Sequence, residues 1–190
     1  MKSLSLLAAP VLLALALAPG AQAAEYAVDA EHTYVFFEVL HQGTSTVRGR
    51  FDTIDGAIHF DPQAKTGTVS MQIDMASIST GSTGFDKHLG DADFFNTAQY
   101  PQSRFESTGL LFDGDKVKAV QGELTLLGQT RPVTLDAIRF NCYHNKRIDK
   151  EVCGGDFQTV LERDQWGMTF GLPGIPNQVR IVIEVEAVRR

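Results

Sequence analysis

Two cysteines, Cys142 and Cys153, are all that the 190-residue chain contains, and neither belongs to a C-x-x-C or C-x-x-C-H arrangement. That excludes covalent haem attachment and the paired knuckles of a structural zinc site. There is no G-x-S-x-G elbow, since Gly81-Ser82-Thr83-Gly84 has the wrong spacing, and no H-E-x-x-H, phosphate-cradling glycine loop or calcium loop. The five histidines, His32, His41, His59, His88 and His144, form no H-x-H pair. Lys and Arg (17) are outnumbered by Asp and Glu (23) and form no basic stripe, which argues against nucleic acid as a partner. Beyond the first twenty residues no apolar run approaches the roughly 20 residues of a membrane-spanning helix.

The first of the features that are present lies at the N-terminus. Met1-Lys2 gives a positive start, Leu4 to Leu17 is almost uninterrupted apolar sequence, and Ala21-Gln22-Ala23 has the small-x-small form of a signal-peptidase site. The pattern predicts a secretory signal peptide over residues 1–23 and one domain over 24–190. An uncleaved anchor is the rival, disfavoured because the run is short and a cleavage signal follows directly. Removing 23 of 190 residues leaves 167, enough for one sizeable core, and taking away the single lysine shifts the formal charge from −6 to −7.

In an oxidising compartment two cysteines near in sequence are more often paired than free. A Cys142–Cys153 bridge would close a short loop, worth about 3 kcal/mol in the chain-entropy picture. Zinc with His144 as a third ligand is the weaker alternative, because the paired knuckles are missing. The stretch "NCYHNKRIDKEVCGGD" (141–156) reads as a long, charged loop joining two strands.

From Glu25 onward the pattern is strand after strand. Tyr34 to Leu40 is aromatic and β-branched, and Gln42-Gly43 turns into Thr44 to Phe51. Ile54 to Phe60 follows. Then Val69, Met71, Ile73 and Met75 alternate with Thr68, Ser70, Gln72 and Asp74. "FDKHLGDADFFNTAQYP" (85–101) loses the alternation and predicts a short helical insert, with Asp91 capping a turn through Phe94 and Phe95. Strands resume over Ser103 to Phe112, Lys116 to Leu127, Arg131 to Asn141, Phe157 to Arg163 and Gln178 to Val188, with Asp113-Gly114-Asp115 as a hairpin turn.

About eight strands without amphipathic helices to cover them predict an all-β fold: an antiparallel sheet that closes into a barrel or folds over as a sandwich. Alternation alone does not say which face is inside, so an outer-membrane barrel stays open, although one Trp and four Tyr are few for two aromatic girdles. For chemistry, the densest titratable group is Asp86, His88, Asp91 and Asp93. An exported enzyme using His88 with Asp86 or Asp93 as general base is one reading, and helix caps facing solvent the simpler one. A barrel interior either packs solid or holds one small ligand, and the residues leave both open.

Four segments in order resemble one family. "DAEHTYVFFEVLHQGTSTVRGRF" (29–51), "GFDKHLGDADFFNTAQYPQSRFEST" (84–108), "GELTLLGQTRPVTL" (122–135) and "ERDQWGM" (162–168) are similar to the motifs of the YceI family of exported polyisoprenoid-binding proteins. Thr33 stands where Ser is common, Trp166 where Phe is common, and the cysteine pair resembles a feature of one branch.

The resemblance implies an eight-stranded antiparallel lipocalin-like barrel in the periplasm, binding an isoprenoid chain, either a quinone tail or a polyisoprenoid phosphate, without catalytic residues, metal or cofactor. Matched residue by residue, it implies apolar contacts from Phe36, Val39, Met71, Ile73, Phe94, Phe95, Trp166 and Met168. Polar anchors would come from His32, Arg48, Asp86, His88 and Arg163, with Arg48 and Arg163 the best placed to meet a phosphate or quinone head. Membrane-bound quinone or lipid enzymes are the partners that such a carrier would have, and a strand edge or the open mouth could form a homodimer contact. A non-lipid structural or interaction barrel is the alternative.

Overall fold

The computed structural model describes residues 23–190, so the apolar N-terminal run expected to form a signal peptide lies outside the described residues. Eleven strands follow in order: β1 (Ala24–Val28), β2 (Tyr34–His41), β3 (Ser45–Phe51), β4 (Ile54–Asp61), β5 (Thr66–Asp74), β6 (Ile78–Ser79), β7 (Gln102–Asp113), β8 (Lys116–Leu126), β9 (Gln129–Asn145), β10 (Lys150–Glu162) and β11 (Gln178–Arg189). The single α-helix among the described residues, α1 (Thr83–Gly90), sits between β6 and β7.

Eight strands make a closed antiparallel ring, β1-β4-β5-β7-β8-β9-β10-β11, which the β1–β11 pairing completes. β2 then continues the wall where β1 stops. β1 covers Ala187 to Arg189 of β11, and β2 covers Arg180 to Glu184 and carries β3 and β6 with it. Closure removes the unpaired edges that strands of this length would otherwise expose.

Alternation decides which side chains turn inward. Val179, Ile181, Ile183, Val185 and Ala187 of β11 and Val69, Met71, Ile73 and Met75 of the β5 run all line the interior, each set on one face as its alternation requires. Arg180, Glu38 and Arg48 bond to one another on the outer face. The barrel is thus apolar inside and charged outside, the inverse of a membrane-spanning one. At two places a ring packs flat on backbone: a Cβ on Gly49 would lie 2.3 Å from the Phe37 ring, and one on Gly122 2.4 Å from Phe105.

Two expectations are corrected. The helix lies upstream of Asp91: it starts after Ser82, whose carbonyl accepts from the N–H groups of Phe85 and Asp86, and Asp91 ends it as the C-cap. Residues 91–100 are a series of turns. The 141–156 segment is also not a loop. β9 and β10 run through both cysteines, which face each other in the ladder with Cα atoms 4.1 Å apart and are joined by a disulfide. The expected bridge is there, and residues 146–149 are the only unpaired connection.

The two ends of the barrel differ. The hairpin end carries the tight β4–β5, β7–β8 and β9–β10 turns and the C-terminus. The loop end carries the β2–β3 and β8–β9 turns, the 75–101 segment and the 163–177 connection.

Candidate ligand-binding lumen

Inside the barrel runs one continuous apolar lumen of about 250 Å³. Its walls reach from Tyr26, Phe60 and Phe140 at the hairpin end to Val39, Phe95 and Ile175 at the loop end. The volume falls just below the roughly 300–1,000 Å³ typical of small-molecule pockets, so it suits a thin chain more than a bulky ring system. Two buried clusters meet within it. One is built on Tyr26, Phe60, Phe157 and Trp166, the other on Phe37, Phe51, Phe94 and Met168, and Met71 and Leu126 touch both.

The few polar side chains in the wall are engaged elsewhere. Ser103 Oγ donates to Thr125 O at 2.8 Å, Thr33 Oγ1 to Glu186 O at 3.3 Å, and Trp166 Nε1 to Leu124 O at 3.3 Å. The Tyr26 hydroxyl donates to Glu151. Burial, helped by that carboxylate, pushes its pKa up to about 12. No buried side-chain nitrogen or oxygen among the described residues lacks a partner. A guest therefore meets mainly hydrocarbon and aromatic edges, with Thr159 the one lining hydroxyl not engaged in these bonds and no charged group free to select a head group.

Eight of the expected contacts, Val39, Met71, Ile73, Phe94, Phe95, Arg163, Trp166 and Met168, line this lumen. Five do not. Phe36 packs near Tyr34 on the outer face, because in a strand it cannot share a side with Val39 three positions on. Arg48 also lies outside, its Nε donating to Glu38 at 2.8 Å. His32 is exposed and its Nδ1 is bonded to Asp29 at 2.9 Å. That contact holds the Asp29 carboxyl below its usual pKa and raises the His32 imidazole. Glu186 completes a group of possible metal ligands there, but an Asx-type turn already accounts for Asp29, which accepts from the N–H of Glu31.

Asp86 accepts from both Thr80 N and Thr80 Oγ1, at 2.7 and 2.6 Å. His88 lies 4.0 Å from Asp91 and edge-on to Phe94. Asp86, His88 and Asp93 are thus not drawn into one acid-base constellation.

Arg163 is the exception among the polar anchors, being 5% exposed. Its Nε donates to Pro176 O, Nη1 to Met168 O, and Nη2 to Phe170 O and Ile175 O, all at 2.9–3.0 Å. Four of five donors are taken by the loop that follows it. Burial lowers its pKa. It organises the 163–177 connection and is not a free cation waiting for a phosphate.

The residues that sequence reasoning missed include Phe37, Phe51, Leu89, Phe105 and Phe157. Phe37 was recoverable, because it shares the Val35 and Val39 face. Leu89 was not, since nothing in the sequence shows that α1 turns that residue toward the barrel.

The description "YceI-like domain" matches residues 26–187. This chain belongs to the YceI-like family. It is 42% identical to Protein YceI of Escherichia coli O6:H1 over 176 residues, 91% of each chain, and 34% identical to Protein YceI of Salmonella arizonae, covering 90% of each. Among solved structures it is similar to the Campylobacter jejuni YCEI protein, with a TM-score of 0.67 and 27% identity over 77% of this chain and 86% of the other. It also resembles a polyisoprenoid binding domain from Saccharophagus degradans, with a TM-score of 0.62 and 15% identity over 87% and 98%, a likeness of fold alone. The YceI-like barrel thus comes with a lumen whose wall offers apolar contact and little else.

Proposed function

We propose that this protein binds an isoprenoid lipid, with the hydrocarbon chain in the barrel lumen and the polar head outside it at the loop end. The observation that carries the reading is the narrow lumen of about 250 Å³ with an almost wholly apolar wall, in which no fully buried side-chain polar atom is left without a partner. Family membership and the likeness to a polyisoprenoid binding domain support a lipid-binding barrel. The methyl branches of an isoprenoid match a wall of Phe, Met, Ile and Val better than a rigid ring would. The N-terminal signal pattern supports a periplasmic location. There the protein would carry, store or sense a quinone or polyisoprenoid phosphate, taken from or given to membrane enzymes that use them.

Head-group selection in this reading does not come from Arg48 or Arg163, which are bonded to Glu38 and to backbone carbonyls. Chain shape is what the lumen can discriminate. The test is solvent extraction of purified protein followed by mass spectrometry, together with titration of a prenyl alcohol and of its saturated straight-chain analogue. Recovery of an isoprenoid and tighter binding of the branched chain are expected. An empty extract with no binding of either probe would sink the reading. Ile181→Trp, which fills the lumen midway, should abolish binding while leaving the fold intact by circular dichroism.

A further inference from the structure

The loop end has a composition that the rest of the surface does not share. Residues 165–179 carry no Lys, Arg, Asp or Glu, and neither do 39–47, where His41 is the one titratable side chain, in a chain that is 21% charged. These two stretches touch, since the Gln42 N–H donates to Gly174 O at 3.1 Å. They also expose large apolar groups: Leu40 is 43%, Phe170 46% and Leu172 38% accessible. None of the three lines the lumen. Surface connections are ordinarily polar, and the loop is held in shape by the buried Arg163 guanidinium, so the exposure is a property of an ordered element.

Charge begins abruptly beneath this tip. Arg48 and Arg180 bracket Glu38 at 2.8 and 2.9 Å across β3, β2 and β11. From Glu38 the β2 strand runs three more residues to His41, a rise of roughly 10 Å. A charge-free cap of that height above a charged belt matches the roughly 5–10 Å to which interfacial elements enter the headgroup boundary. Beside it, where Phe170 packs edge-on against His88 and Phe94, Lys87, Asp91 and Asp93 keep the α1 rim charged. The insertion is therefore one-sided and tilts the barrel.

We propose that the β2–β3 turn and the 165–179 segment dock into the interface of a neutral lipid bilayer, setting the mouth of the lumen against the membrane so that a hydrocarbon chain passes without crossing water. The tip has no Lys or Arg to seek anionic lipid and the whole chain is acidic, which selects a neutral surface over an anionic one. This rests on the lipid-binding reading above.

The test uses purified protein and phosphatidylcholine vesicles, alone and carrying a fluorescent farnesol analogue. Wild type should float with the vesicles, and its uptake rate should rise linearly with vesicle concentration. Leu172→Asp and Thr44→Asp, both outside the lumen, should each lower flotation and uptake at least tenfold. Ile148→Asp at the hairpin end should change neither. Uptake of the same probe from detergent micelles should be equal in all four. Unchanged flotation in both tip variants, or no flotation of wild type with micellar uptake intact, would overturn the docking. A dimer in sedimentation velocity that Leu172→Asp dissociates would overturn it too, by making the tip a subunit interface. Absence of micellar uptake in every form would instead remove the lipid-binding reading on which the proposal stands.

Discussion

The two ends of the barrel share the same eight strands and close by different means. At the hairpin end, short turns, a cross-strand disulfide and surface charges such as Lys65 with Asp115 and Arg190 with Glu25 close off the lumen over Tyr26, Phe60, Val117 and Phe140. At the loop end, a helix and a long apolar connection are arranged around Arg163, with Leu40, Phe170 and Leu172 left in solvent. One end is held by regular ladder bonds and covalent linkage. The other depends on a single buried cation satisfying four carbonyls, and it is the end with room to open. Strong local closure frees the rest of the ring to keep a lumen, because closing the sheet already satisfies the backbone.

Breaking the loop end should have the largest effect. Trp166 is 2% exposed and belongs to the cluster of Tyr26, Phe60 and Phe157, so Trp166→Ala should cost about 3–5 kcal/mol in denaturant unfolding. Arg163→Met keeps the stem and removes every guanidinium bond. A loss of about 3 kcal/mol is expected from the stranded carbonyls, with hydrogen exchange accelerated over 167–177 and unchanged in β9 and β10. If exchange rises equally at both ends, the two are not independent.

The hairpin end should respond less. Replacing Cys142 and Cys153 with serine should cost about 2–3 kcal/mol, read as a shift in unfolding midpoint, and leave lipid uptake unchanged. Tyr26→Phe deletes only the hydroxyl and its bond to Glu151, for about 1 kcal/mol. The smallest effect belongs to the exposed Asp29–His32 pair. The raised His32 pKa gives stability that is complete below about pH 6.5 and disappears as pH rises through the folded value. The lowered Asp29 pKa gives stability present above about pH 4 and lost as pH falls through its folded value. The pair therefore helps most between those limits. Proton NMR titration should show His32 losing its upward shift in Asp29→Asn.

Much of the wall was legible in the sequence. Val69, Met71, Ile73 and Met75, and the five alternating residues from Val179 to Ala187, share one face each because a strand has a two-residue period, and both faces prove to be lumen walls. The same rule excluded Phe36 as a partner of Val39, and matching family motifs alone overlooked it. Arg163 was legible as important but not in its role, since the four carbonyls that bind its guanidinium lie 5–13 residues downstream on a loop without regular pattern.

The sequence by itself determined that the chain is all-β, antiparallel, acidic and cross-linked once. Those properties follow from local periodicity, composition and the small number of cysteines. Only the tertiary structure decided that the apolar faces point inward, that the cysteines are a rung between paired strands and not the clasp of a loop, and that a lumen survives. It also brought residues 39–47 and 165–179 together into one charge-free tip. Inside and outside, and which distant segments meet, depend on how the ring closes, and a two-residue period reads the same in either direction.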